Sequence, residues 1–140
     1  MAYCTQADIE KLMPRQELAE LTTESGDMPA AEVVTEGIVR AEAEIDSYLG
    51  VRYQLPLSTV PARVKSLAVD IAIYYLYSRR SAVPQVREQN YQNALHYLQE
   101  VAAGRALVLV GGAEVARVDS GSGQAVAAAR VFSRERLREF

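Results

Sequence analysis

Few side chains in this sequence are equipped for chemistry, and the densest group is Glu42, Glu44 and Asp46, three carboxylates at alternate positions. Hard cations are held by converging oxygens. On a helix, alternate residues point in different directions and cannot close on one ion, so no metal site is expected there. His96 is the sole histidine and has no cysteine or second histidine at ligand spacing, which makes it a solvated surface residue rather than a ligand or general base. Cys4 is the sole cysteine; it excludes an internal disulfide and fits a reducing compartment. Gly111-Gly112 does not open a helix after a strand, as a phosphate-binding loop requires. No catalytic, cofactor-binding or metal-binding residue is expected, and the reading is of a non-enzyme.

Asp70 is the residue that most needs explaining. A carboxylate in an apolar stretch is costly to bury alone, so it should meet Arg63, a tyrosine hydroxyl, a backbone group or solvent. Acid-base catalysis would need partners that the sequence does not offer. On a helix, Arg63, Ser66, Asp70, Tyr74 and Tyr77 fall within about a quarter of the circumference, a polar and aromatic seam. Arg63, Asp70, Tyr74 and Tyr77 are therefore candidates for a protein-protein interface, where aromatic and arginine anchors concentrate.

The elements that must carry these residues are helical. Thr5 with Asp8 reads as the start of a short helix whose apolar face is Ile9, Leu12 and Met13, ended by Pro14. Residues 17–21 allow one or two further turns before a loop rich in Thr, Ser, Gly, Asp and Pro. From Ala30 to Leu49, Val34, Ile38, Ala41, Ile45, Tyr48 and Leu49 recur at three and four; Glu36 and Arg40 are spaced as an i,i+4 pair, and Gly50 closes the helix. Residues 51–60 are extended loop. A helix from Pro61 to about Ser78 is apolar on most sides and so central. A third long helix runs from Pro84 to Gly104, its stripe formed by Tyr91, Ala94, Leu95, Leu98, Val101 and Ala102.

Beyond Gly104 the character changes. Residues 106–110 are β-prone, Gly111-Gly112 is a turn signal, and residues 113–118 can return as a second strand, although a lone hairpin is marginal in water. Residues 119–123 have linker composition. The last stretch carries both phenylalanines, with Phe132, Arg134, Leu137 and Phe140 as candidate docking anchors; the alternative is that this tail folds back on its own core. The expected architecture is all-α: three long or medium helices and a short N-terminal one over residues 1–104, then a C-terminal arm, 105–140, able to include a short β-hairpin.

Composition fits one globular domain: 140 residues, 49% hydrophobic and 24% charged, with mean hydropathy -0.07. The apolar run around residues 67–77 is too short to span a bilayer, and charges near the start do not read as a signal peptide. The net charge of -3 hides an asymmetry. Residues 1–50 carry eleven acids against three bases, whereas residues 51–110 carry seven bases against three acids. Such a chain can pair head to tail with copies of itself, or present two solvated faces of opposite bias.

The ordered set of Tyr3-Cys4-Thr5, residues 45–50 followed by Arg52-Tyr53 and Leu55-Pro56-Leu57, Asp70-Ile71-Ala72, residues 74–77, Tyr91, Ala94-Leu95, Leu98, Gly104 and residues 131–134 resembles the small neck proteins of Mu-like phages and prophages. The resemblance covers nearly the whole chain. It implies a virion structural protein of the head-to-tail connector group, a ring-forming homo-oligomer that binds the portal and presents a surface to a tail or stopper protein. It further implies a place in the virion neck after assembly in the bacterial cytoplasm. DNA would pass through the channel without specific binding, with no membrane partner and no cofactor. A different class is a small helical DNA-binding regulator, given the basic bias of residues 52–87; the connection from Leu49 to Pro61 is far longer than a helix-turn-helix allows. A small cofactor-independent enzyme is the weakest of the three readings.

Overall fold

In the computed structural model, which describes residues 2–118, the first helix, α1 (Gln6–Glu10), is fixed by a reciprocal cap. The Thr5 hydroxyl accepts from the Asp8 N–H at 3.4 Å and the Asp8 carboxylate accepts from the Thr5 N–H at 2.9 Å, so two of the donors that every helix start leaves open are satisfied at once. Pro14 then starts α2 (Arg15–Thr22), one of the elements that the sequence left as a turn or two. At its C-terminal end the Thr22 and Thr23 hydroxyls donate back to Leu18 and Ala19 carbonyls, both at 2.8 Å. Arg79 and Arg80, just past the end of another helix, reach across to the carbonyls of Leu21, Glu20 and Thr23. The open carbonyls of a helix end are thus met by cations, which also suits its dipole.

Helix α3 (Ala31–Leu49) buries Val34, Gly37, Ile38, Ala41, Ile45 and Leu49, the expected stripe with Gly37 added and the half-buried Tyr48 at its edge. At Gly37, α3 lies close against α4 (Ala62–Ser78): a Cβ there would stand 3.2 Å from Leu76 Cδ2. Glu36 and Arg40 form the expected exposed pair, 3.8 Å apart, worth only a few tenths of a kcal/mol. Helix α4 is the centre of the fold, as its apolar circumference predicts. It packs against α1, α2, α3 and α5 (Gln85–Ala102) and buries Val64, Leu67, Ala68, Val69, Ile71, Ala72, Ile73, Leu76 and Tyr77.

Helix α5 lies on the outside and buries only Ala94, Leu98 and Val101. It ends at Gly104, whose φ of +85° favours glycine. The Arg105 N–H bonds to the Glu100 carbonyl and the Gly104 N–H to that of Val101, at 2.9 and 3.1 Å, the paired bonds of a Schellman closure.

The hairpin exists but is not lone. Strand β1 (Leu109–Val110) pairs antiparallel with β2 (Ala113–Glu114) across Gly111-Gly112, both at positive φ. Residues 52–54 add a third rung: Tyr53 bridges to Arg117, Gln54 N–H donates to the Ala116 carbonyl at 3.0 Å, and Val118 N–H donates to the Arg52 carbonyl at 2.9 Å. Val108 is 1% exposed. Residues 106–118, expected as the root of an arm, are therefore seated in the folded unit. Burying Val108 and pairing the backbone of the loop after α3 supplies what an isolated hairpin lacks.

Candidate interaction surfaces

The helical and hairpin elements decide where each polar side chain is presented. The α4 seam that the sequence suggests as one surface is divided among neighbours. Tyr77 is buried and its hydroxyl donates to Glu17 of α2, so it is internal to the subunit; this corrects its assignment to an exposed interface. Tyr74 is half-buried, its ring stacked on Tyr91 of α5 with centroids 3.8 Å apart and planes 3° from parallel. The exposed Arg63 has its guanidinium 4.7 Å from the Tyr97 ring centroid, a cation-π contact between α4 and α5. With four helices packed on α4, its polar side is partly covered as well, while Ser66 stays exposed.

Asp70 is half-buried and has no hydrogen bond or ion pair among the described residues. Burial pushes its carboxyl above the ordinary range, opposed by the charges of Arg87 and Arg63. Phe132, Arg134, Leu137 and Phe140 lie outside the described residues.

The acidic run on α3 has a use that spacing alone does not reveal. Glu42 accepts from the Tyr3 N–H at 2.7 Å, Asp46 accepts from the Tyr3 hydroxyl, and Glu44 accepts from the hydroxyls of both Tyr75 and Tyr91, the latter at 3.0 Å. Glu42 and Asp46 thus both tie α3 to the N-terminal segment at Tyr3, and Glu44 ties it to α4 and α5. The Tyr3, Tyr75 and Tyr91 hydroxyls are all pushed up, first by burial and then by these carboxylates, Tyr75 to about 12. No three His, Cys, Asp or Glu residues among the described ones could hold a metal ion. The eight tyrosines were visible in the sequence; their pairing with acids distant in the chain was not.

Asp8, despite burial that acts to raise it, is held down at about 2, chiefly by Lys65 and by Thr5; Lys65 Nζ is 3.1 Å away on α4 and Lys11 Nζ is 3.4 Å away. Cys4 is buried, and burial together with Asp8 and Glu42 pushes its thiol up to about 12, which leaves it protonated and unreactive at neutral pH. Tyr53, 1% exposed, has its hydroxyl accepting from the Val108 N–H at 3.1 Å and donating to Glu114 at 3.0 Å. Beside it, Arg52 Nη1 is enclosed without a partner among the described residues, and a Cβ at Gly104 would come within 2.7 Å of it.

Much of the basic bias is already engaged inside the subunit. Arg79 and Arg80 hold α2, Arg87 donates to the Leu12 carbonyl at 3.0 Å, and Arg105 and Arg117 make two-point pairs with Glu100 and Glu114. That arrangement does not resemble a free stripe of cations for a phosphate backbone. His96 is exposed on α5, as its place off the stripe predicts. No helix among the described residues is long and apolar enough to cross a membrane.

Comparison with known proteins places the chain beside phage sequences. The family described as Bacteriophage Mu, Gp36 matches residues 3–127. The Mu-like prophage FluMu protein gp36 of Haemophilus influenzae is 45% identical over 71 residues, 51% of this chain and 49% of that protein, so the match spans about half the length of this relative. Gene product J of Escherichia phage Mu is 31% identical over 108 residues, 75% of this chain and 74% of that protein.

Proposed function

This chain belongs to the bacteriophage Mu Gp36 family, and from that premise we propose that it is a non-enzymatic head-to-tail connector of a phage virion, a ring-forming protein that docks on the portal and receives a tail or stopper protein. The observation that carries this reading is how the titratable side chains are used. Glu17, Glu42, Glu44, Asp46 and Asp8 bind tyrosines, a lysine and backbone groups that lock helix to helix, which suits a rigid building block that acts through its outer surfaces. Acids concentrate in α1 to α3 and bases in residues 51–110, a polarity that favours head-to-tail contacts between copies. DNA would then pass through the ring without base-specific contact.

The test is to measure mass by size-exclusion with light scattering, alone and with the portal protein encoded by the same phage. Co-elution as a defined ring complex is expected; failure to bind the portal across salt and concentration ranges overturns the connector role. Deleting residues 124–140 should leave the helical core folded and abolish portal or ring binding. Unchanged assembly by that truncation would remove the tail anchors from the mechanism.

A further inference from the structure

We propose, resting on the connector reading above, that the sparsely charged outer face of α5 in one copy packs on the C-terminal half of α3 in the next. Helix α5 buries three residues along its 18. Outward it shows Gln85, Gln89, Gln92, His96 and Gln99, at spacings of four and three that make a continuous seam of the kind one helix offers another. Eight positions from 85 to 99 are exposed and only Glu88 among them is charged. That is sparse for a free surface, of which about a quarter to a third is ordinarily charged, and loss of charge marks the centre of interfaces. Val86, at one end of the seam, is 68% exposed.

The occupant follows from charge matching. On α3 the exposed charges, Glu32, Glu36 and Arg40, all precede residue 41. From there the exposed positions are Ala43, Ser47 and Gly50, flanked by Val39 at 54% and Val51 at 65% exposure. From Ala43 to Val51 this strip carries no exposed charge and is apolar at both ends, with Arg40 beside Val39 at its edge, so a long-armed amide seam can approach it closely without stripping water from an ion. The acidic rim of Glu20, Glu24 and Asp27, whose neighbouring cation Arg80 is already committed to the Glu20 and Thr23 carbonyls, would instead set carboxylates against amides. The two matching strips belong to different helices of the same chain, so the contact is heterologous and repeats from copy to copy, closing into a ring where the rotation permits.

Cross-linking in the full chain tests this. Ser47→Cys and Gln92→Cys lie at exposed positions, and the native Cys4 is 2% exposed; folding is checked by circular dichroism. With a short bis-maleimide reagent, a mixture of the two single variants should give dimers, each variant alone should not, and the double variant should give a ladder. Self-linking of Gln92→Cys alone would mean a symmetric α5 contact and overturn the proposal. Multimers in light scattering without 47-to-92 links would overturn these surfaces while leaving ring formation standing, and absence of both links and multimers would overturn the proposed contact independently of portal binding. Gln92→Glu and Gln92→Lys should each weaken association about tenfold or more; strengthening by either would show that the opposing face is charged.

Discussion

Replacing Tyr53 by phenylalanine should cost about 2 kcal/mol, although it removes one oxygen and leaves the ring in place. The hydroxyl accepts from the Val108 N–H and donates to Glu114. Val108 is 1% exposed, so its N–H has no water to turn to, and an orphaned buried donor costs roughly 1–3 kcal/mol. Glu114 is only half-buried and keeps its two-point pair with Arg117, so its lost bond adds little. For a domain of this size about 2 kcal/mol lowers Tm by roughly 8 °C. Urea unfolding followed by circular dichroism gives the free energy, and amide exchange at Val108 reports the site itself. Glu114→Gln is the control: Val108 keeps its acceptor, so the loss should be well below that of Tyr53→Phe. A Tyr53→Phe protein within about 0.5 kcal/mol of wild type, with Val108 exchange unchanged, would refute the idea that this hydroxyl anchors the hairpin.

Two further outcomes are tied to acids. Asp8 is held at about 2, below its ordinary 3.8, so its contribution is complete above pH 4 and lost as pH falls through 2; Asp8→Asn should cost about 1–2 kcal/mol at pH 7 and flatten the acid limb of a stability-against-pH curve, and an unflattened limb would sink the assignment. Asp70 has the opposite sign: its raised carboxyl binds protons more readily folded than unfolded, so its ionisation opposes folding. Asp70→Asn should therefore stabilise the subunit at pH 7 and gain nothing below the ordinary carboxylate range; destabilisation in urea at pH 7 would show a partner for the carboxylate that this geometry lacks.

The helices were legible because their apolar spacing, prolines and Gly104 closure are local signals, and Ile71, Ala72 and their neighbours on α4 could lie nowhere but in the centre. The α4 seam was misjudged for a physical reason. Tyr77 and Tyr74 look exposed on a helical wheel, but a wheel does not show that α2 and α5 stand on either side with Glu17 and Tyr91 waiting. The same blindness hid the use of Glu42, Glu44 and Asp46, whose partners are 31 to 47 residues away. Tyr53 gave no local sign of its role, since an extended loop with a proline looks solvent-exposed until the segment that covers it is brought back.

The third rung of the small sheet imposes an order on biogenesis. While the chain is being made, α3 and α4 can pair as soon as residue 78 is free of the ribosome. The loop between them cannot settle until Val108 arrives to meet a hydroxyl 55 positions upstream. Until then a ring that belongs in the interior and the N–H of Gln54 remain open to other chains, so a nascent or truncated product ending at α5 carries an adhesive notch that the finished subunit conceals.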